Sequence, residues 1–493
     1  MEIPASAPKL RRELNIWEAV GISLALMAPS MAANINPQGT ASQIGRAVPL
    51  GFLVATIGVL LVAYGFVRLS QQLHHAGSVY GFVGVTLGPR AGVFSGLALL
   101  GTYTFYAIVT AMAAGRFGAD FLRALGVFGS VDAAPHLAEF VVAFIALGLA
   151  FVVALIPIRN GTRLLLIVEG ATVALIIVTT LVILVKLISG NTPSGQTFTL
   201  DVFSVPAGID VSTIALGAVF GFLSFAGFEA AATLGEEARN PTRDIPRAIL
   251  GVAIFGGIYF VVVTAVEVMG FGTGADQMTA FVASGSLLGD LGRQYIASWV
   301  GDLISVGAAI SAFGCCLACL VGASRLLYAV SRDNTESRGF AFTARVSERY
   351  GTPSGALTVV TVVAAIIAVV WALAFSASAF DIFVGTGTIG TLIILVAYLM
   401  LTVGAIKFLF FSGRARVPMW EIVIPAAAVI VLGYVVFRNV WPIPPSDQPA
   451  FWYSAATVVW LLIALVFVYA MPGLAGRVGD RLRGDEGLAA AKS

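Results

Sequence analysis

Two carboxylates stand inside apolar stretches where an unpaired charge is costly. Glu229 follows Gly221-Phe-Leu-Ser-Phe-Ala-Gly-Phe, and Glu169 follows the apolar run Leu164 to Val168. A carboxylate at the centre of a bilayer helix costs about 2.5–3.5 kcal/mol on insertion scales, so each must pair, hydrate or take up a proton. Around Glu229 the sequence weakens its own helix. Gly221, Ser224 and Gly227 let backbone leave the hydrogen-bond ladder, and Phe222 and Phe225 adjoin the same point with rings that can hold a small molecule. A second weak point lies in Gly21-Ile-Ser-Leu-Ala-Leu-Met-Ala-Pro-Ser-Met-Ala-Ala-Asn34. Pro29 has no amide hydrogen and clashes with the carbonyl one turn earlier, which frees carbonyls near Ala25 and Leu26 and amides beyond them. The segment Met27, Ala28, Pro29, Ser30, Met31 and Ala32 is then either a proline kink or a true interruption. Matching interruptions in two corresponding helices point to a binding site at mid-membrane.

Other residues carry weaker signals. Tyr103 and Tyr106 share a helix face at spacing three, and either line a cavity or pack. Glu267, Asp302 and Asp381 stand near the ends of apolar runs, where a carboxylate needs no role. Cys315, Cys316 and Cys319 have no histidine partner and no aqueous setting, so they are read as small packing residues and not as a metal site or disulfide. No phosphate-binding loop or paired-histidine motif is present, and the chain has only three histidines, His74, His75 and His136. Catalytic residues, metals and cofactors are therefore expected to be absent.

The elements that position these groups are membrane helices. Of 493 residues 58% are hydrophobic and 11% charged, with mean hydropathy +0.95, a balance no water-soluble surface tolerates. Apolar runs near the roughly 20 residues that cross a bilayer recur twelve times. They fall near 16–38, 46–68, 91–121, 138–157, 161–188, 211–235, 247–272, 297–330, 355–375, 380–407, 419–437 and 451–471. With the N-terminus cytoplasmic, 22 of the 28 Lys and Arg residues fall inside, leaving Arg46, Arg116, Arg123, Lys186, Arg293 and Arg438 outside. Both termini are thus expected in the cytoplasm, and no cleavable signal peptide is expected ahead of the first run. The outer segment from Gly274 to Arg293 reads either as a pair of short surface helices or as an ordinary loop.

Three stretches carry a resemblance. Gly227-Phe-Glu-Ala-Ala-Ala-Thr-Leu-Gly-Glu-Glu-Ala-Arg-Asn-Pro-Thr-Arg-Asp-Ile-Pro-Arg-Ala-Ile249 looks like the sixth-helix signature of the amino acid-polyamine-organocation transporter superfamily. Ala76-Gly-Ser-Val-Tyr-Gly-Phe-Val-Gly-Val-Thr-Leu-Gly88 resembles the segment before its third helix, and Ala323-Ser-Arg-Leu-Leu-Tyr-Ala-Val-Ser-Arg-Asp333 the end of its eighth. The resemblance implies an all-α membrane protein of twelve helices with the LeuT-like fold. Helices 1–5 and 6–10 would be inverted repeats, with helices 11 and 12 outside them. The corresponding divisions are a cytoplasmic tail at 1–14, repeats at 15–190 and 191–410, helices 11 and 12 at 411–471, and a cytoplasmic tail at 472–493. Two features depart from the family. The loop after Asp333 lacks the usual Gly and Leu-Pro pair, and Met27-Ala-Pro-Ser-Met31 stands where many members have a Gly-rich break.

The function this implies is secondary active transport of an amino acid or related organic amine by alternating access in the cell membrane, as in a bacterial inner membrane. The expected substrate residues are Met27, Ala28, Pro29, Ser30, Met31, Ala32, Tyr103, Phe222, Ser224, Phe225 and Gly227. Glu169 and Glu229 are expected to couple or gate, with H+ rather than Na+ as the coupling ion. Proton-coupled relatives hold a lysine near the level of Glu169, so Glu reverses the sign there. It is left as a proton carrier, a cation ligand or the partner of a buried arginine. The rival readings are an exchanger without proton coupling and, in another class, a channel or receptor, for which no continuous polar pore or sensing domain is visible.

Overall fold

The computed structural model describes residues 15–73, 79–127, 136–156, 159–234, 238–332, 338–413 and 417–471, together with 473 and 476. The expected N-terminal tail, the expected C-terminal tail apart from 473 and 476, His74 and His75, and part of the sixth-helix signature lie outside these residues. In chain order the helices are α1 (Ile16–Met27), α2 (Pro29–Ile44), α3 (Val48–Gln72), α4 (Val79–Leu87), α5 (Pro89–Ala124), α6 (Leu137–Leu155), α7 (Arg159–Ser189), α8 (Val211–Ser224) and α9 (Pro241–Phe271). They continue with α10 (Ala275–Ala283), α11 (Leu287–Tyr295), α12 (Ser298–Ser331), α13 (Arg338–Thr343), α14 (Ser354–Phe375), α15 (Ala379–Ile406), α16 (Val423–Val440) and α17 (Pro449–Ala470).

Ten stretches among the described residues are long and apolar enough to cross a membrane, the first running from Ile16 to Gln72 through α1, α2 and α3. The peripheral helices turn large apolar side chains outward, for example Leu164 and Ile167 on α7 and Leu373 on α14. Such faces are stable against lipid and not against water. This is a multi-pass membrane protein.

Starts and stops follow local chemistry. Asn15 caps α1 by accepting from the amides of Trp17 and Glu18, while the Glu18 carboxylate accepts from the Asn15 amide in return. Ser378 and Asp381 form the same reciprocal cap on α15, which explains Asp381 without a functional role. The segment after α9 folds as two helices, α10 and α11, and both are fastened to the bundle. Asn34 of α2 accepts from Ser286 Oγ at 2.9 Å and from the Leu288 amide at 3.0 Å, and Gln38 donates to the carbonyls of Phe281 and Ser284. Arg116 of α5 donates to the carbonyls of Ala283 and Ser284 and lies over the ring of Phe380.

Arg293 of α11 completes this closure. Its guanidinium meets Asp120 of α5 at 2.8 Å, Asp290 at 2.9 Å and Asp302 of α12 at 3.0 Å, so one cation joins three elements. Asp302, an apparently idle carboxylate in the sequence, is part of that joint. Burial, the largest influence on Asp290, pushes its carboxyl above the usual carboxylate range against the opposing pull of the Ser284 hydroxyl and Arg293. Arg293→Gln is expected to destabilise by roughly 1–3 kcal/mol, the cost of stranding three half-buried carboxylates. A carboxyl whose folded-state pKa is raised binds its proton more tightly when folded, so stability gains as pH falls and is lost as pH rises through that pKa. The melting deficit of Arg293→Gln should accordingly shrink between pH 7.5 and pH 5. A deficit that stays constant or grows on acidification would show that repulsion among the stranded carboxylates is not its source.

Candidate functional site

At Ala28 the chain leaves the helix. Its backbone is left-handed, φ 45° and ψ 58°, and only Ser376 among the other described non-glycine residues also has positive φ. A left-handed L-residue costs roughly 1–2 kcal/mol, so the surroundings must hold Ala28 there. Pro29 explains the placing. Position 29 has no N–H to give to the Ala25 carbonyl, and its fixed φ suits the first position of α2. The next two amides find partners outside their own helix: Ser30 donates to Glu169 Oε1 of α7 at 2.9 Å and Met31 to Ser311 Oγ of α12 at 3.3 Å. The ladder resumes with Ala32, which donates to Ala28.

A second departure lies opposite. After Ser224, α8 gives way to turns whose amides at Phe225, Ala226 and Phe228 reach back only three residues, and a short 3-10 helix follows over Ala230–Leu234. Gly227 has φ +99°, and a Cβ on it would come within 2.7 Å of Leu26. Both the conformation and the approach of α1 require glycine here. Ala231 donates to Ser23 Oγ at 3.0 Å, a further tie between the two interrupted segments.

Between these segments is a buried cavity of about 20 Å³, room for little more than one water. Of the residues expected from sequence, Met27, Met31, Tyr103 and Gly227 line it. Leu26, Tyr106, Leu223, Cys315, Cys319 and Ile394 join them. Ala28, Pro29, Ser30 and Ala32 are buried behind the lining and shape the break. Three expected residues point elsewhere. Ser224 Oγ accepts from Asn36 at 2.6 Å and donates to the Phe220 carbonyl, Phe222 packs toward Gly58, and Phe225 packs edge-on to Phe260 beside Met27.

Glu169 belongs to a larger cavity of about 560 Å³, lined also by Ala25, Ser311, Gly314, Arg325 and Thr352. Its carboxylate bonds backbone at the break, with Ser311 beside it, and among the described residues no arginine pairs with it. Ala25 and Leu26 face different cavities, as do Gly314 and Cys315. The two spaces thus border the same stretches of α1 and α12, which the Cys315 thiol ties by donating to the Leu26 carbonyl at 3.2 Å.

Glu229 occupies the turn after Gly227. It is buried beside Tyr398, and among the described residues its Oε2 has no hydrogen-bond partner of ordinary geometry. Tyr398 stacks edge-on with Phe66 and Phe228, so an aromatic wall backs the carboxyl. The cysteines are the main site residues that sequence reasoning missed. Cys315 and Cys319 are four apart and share a helix face, but nothing in their chemistry says that the face borders a cavity.

A profile of the amino acid permease family matches residues 20–479, nearly the whole chain. The chain belongs to the amino acid permease family. It is 27% identical over 366 residues to an uncharacterized transporter of Mycobacterium tuberculosis, covering 73% of this chain and 74% of that one. It is 24% identical to a branched-chain amino acid permease of Lactococcus lactis over 88% of each chain. With a low-affinity putrescine importer of Escherichia coli the identity is 26% over 68% of this chain and 70% of that one. This permease is therefore a transporter and not an enzyme.

Proposed function

We propose that this permease is a secondary active transporter of an amino acid, that it works by alternating access, and that a proton carried by Glu169 drives it. Its helices form twelve spans, α1 with α2 counting as one, and α8 with the segment after it as another. The first ten make two inverted repeats, and both termini are cytoplasmic, as in a bacterial inner membrane. The observation that carries the reading is the meeting of two interrupted helices at one buried cavity, with Glu169 bonded to the backbone of one interruption. The α10–α11 end is then the outer side, held closed, and the larger cavity with Arg325 opens inward.

The lining favours a neutral, apolar substrate side chain. Leu26, Met27, Met31, Leu223 and Ile394 offer it dispersion contacts, and no charged side chain lines this cavity to hold a second ammonium group. Counterflow into proteoliposomes across amino acids and diamines tests this. Saturable exchange of a branched-chain or other apolar amino acid is expected; exchange of putrescine alone would overturn it.

The thiols provide a second check. Cys315 and Cys319 are buried at 5% and 1% exposure, so a maleimide reaches them only when the cavity opens. N-ethylmaleimide should inhibit uptake by at least tenfold, and saturating substrate should slow the inhibition. A Cys315→Ala, Cys319→Ala double variant should resist it. Equal inhibition of that variant would place the reactive group elsewhere.

A further inference from the structure

Glu267 lies fully buried on α9, and among the described residues neither carboxylate oxygen has a hydrogen-bond partner. On α7, Thr179 and Thr180 are buried with hydroxyls that also have none. The two helices can be aligned from contacts on either side. Near the break, the Tyr259 hydroxyl of α9 donates to the Pro29 carbonyl, one residue before Ser30, whose amide donates to Glu169 of α7. Further along, Gly270 approaches Ile183 so closely that a Cβ would lie 3.4 Å from its Cγ2. Both contacts rise in residue number, so α7 and α9 run in the same direction. Three residues back from Gly270 is Glu267, and three back from Ile183 is Thr180. Residues three apart share a helix face, so these two stand at one level on facing helices.

The threonines depart from the habit of this protein. Thr104, Thr110, Thr172, Thr386 and Thr402 each donate to the carbonyl four residues earlier in their helices. Thr179 and Thr180 do not, which leaves two hydroxyls, each able to donate and accept, for use outside their own backbone. The titratable groups on elements packed against α9 are engaged or remote. Lys186 donates to the Tyr295 carbonyl, the Tyr295 hydroxyl donates to Gly270, and Asp290 pairs with Arg293. Arg68 and Tyr64 of α3 bind Glu421; Glu18, Asp201 and Asp276 are exposed; Glu169 lies at the level of the break. Among the described residues nothing hydrogen-bonds the Glu267 carboxylate, and Tyr259, two turns earlier on α9, lies within electrostatic reach of it.

We propose that Glu267, with Thr180 and Thr179, is an ion site separate from Glu169, taking one monovalent cation, H+ or Na+, that neutralises the carboxylate. An all-oxygen set of one carboxylate and two hydroxyls suits a proton or a hard cation and nothing softer. Its purpose as a second coupling site rests on the transport reading above, but its existence does not.

The test is therefore a binding measurement on the purified full chain. Melting temperature is followed from 0 to 200 mM NaCl, with choline chloride holding ionic strength constant, and separately from pH 8 to pH 5. Wild type should gain at least 3 °C with sodium, or gain on acidification with no sodium response. The first result makes the ion Na+ and the second H+. Glu267→Gln should lose the sodium gain, or the larger part of the acid gain with the remainder left to Asp290, and Glu169→Gln should keep the sodium gain or that larger part. If Glu267→Gln does not fold, Thr180→Val takes its place, and the midpoint of the response should move at least tenfold. A response in Glu267→Gln equal to that of wild type, an unmoved midpoint in Thr180→Val, or no response to either ion in wild type overturns the site. None of these outcomes depends on which substrate is carried.

Discussion

Glu169→Gln is expected to abolish pH-driven accumulation while leaving substrate binding and exchange intact. In wild type, one proton moving with each substrate molecule allows up to about tenfold accumulation per unit of pH gradient, the equilibrium equivalent of ~1.4 kcal/mol. In Glu169→Gln the ratio should fall to about one. The geometry makes the substitution discriminating. Ser30 donates to one carboxyl oxygen, and the amide oxygen of glutamine can accept the same bond. A residue that served only to cap α2 would therefore be replaced with little loss. What glutamine cannot do is bind and release a proton, the role proposed for Glu169 at the wall of the larger cavity. Uptake in proteoliposomes with and without an imposed pH gradient, alongside counterflow at equal pH, separates the two roles. A variant that still concentrates substrate with unchanged pH dependence would remove Glu169 from the coupling path.

The arrangement around Ser30 also shows where reading the sequence stops. Pro29 marks the interruption because the missing N–H is a property of the residue itself, and no tertiary contact can restore it. The fate of the amides beyond it is a tertiary matter. The sequence reads them as freed from their own helix, yet Ser30 bonds Glu169 and Met31 bonds Ser311. Substrate would have to displace these partners or use other groups. Ser224 shows the same limit, since it lies at the weak point read from glycine and serine spacing but turns to Asn36, a residue 188 positions away. Glu267 was placed by hydropathy near the end of its span, where a carboxylate reaches water. The packing of α10 and α11 over that end seals it instead. Helix type and the weak points were legible because they depend on local composition. The facing of side chains across helices was not, because it depends on partners far along the chain.

Gly227→Ala is expected to reduce transport more than tenfold, and Leu26→Ala in the same chain should recover only part of the loss. Two separate costs arise at this position. An L-residue at φ +99° is strained by roughly 1–2 kcal/mol, and a methyl group within 2.7 Å of Leu26 adds an overpacking cost of about 1–3 kcal/mol. Truncating Leu26 removes the second cost and leaves the first. A double-mutant cycle should therefore give a coupling energy of the size of the steric share, with the double variant well below Leu26→Ala alone. Full recovery would mean that only the contact matters and that the backbone at 227 tolerates a side chain. Equal losses from Gly227→Ala in both backgrounds would mean the reverse, that Leu26 does not constrain the turn. Either result would show which property of glycine, its conformational freedom or its small size, holds the two interrupted helices at the distance the cavity requires.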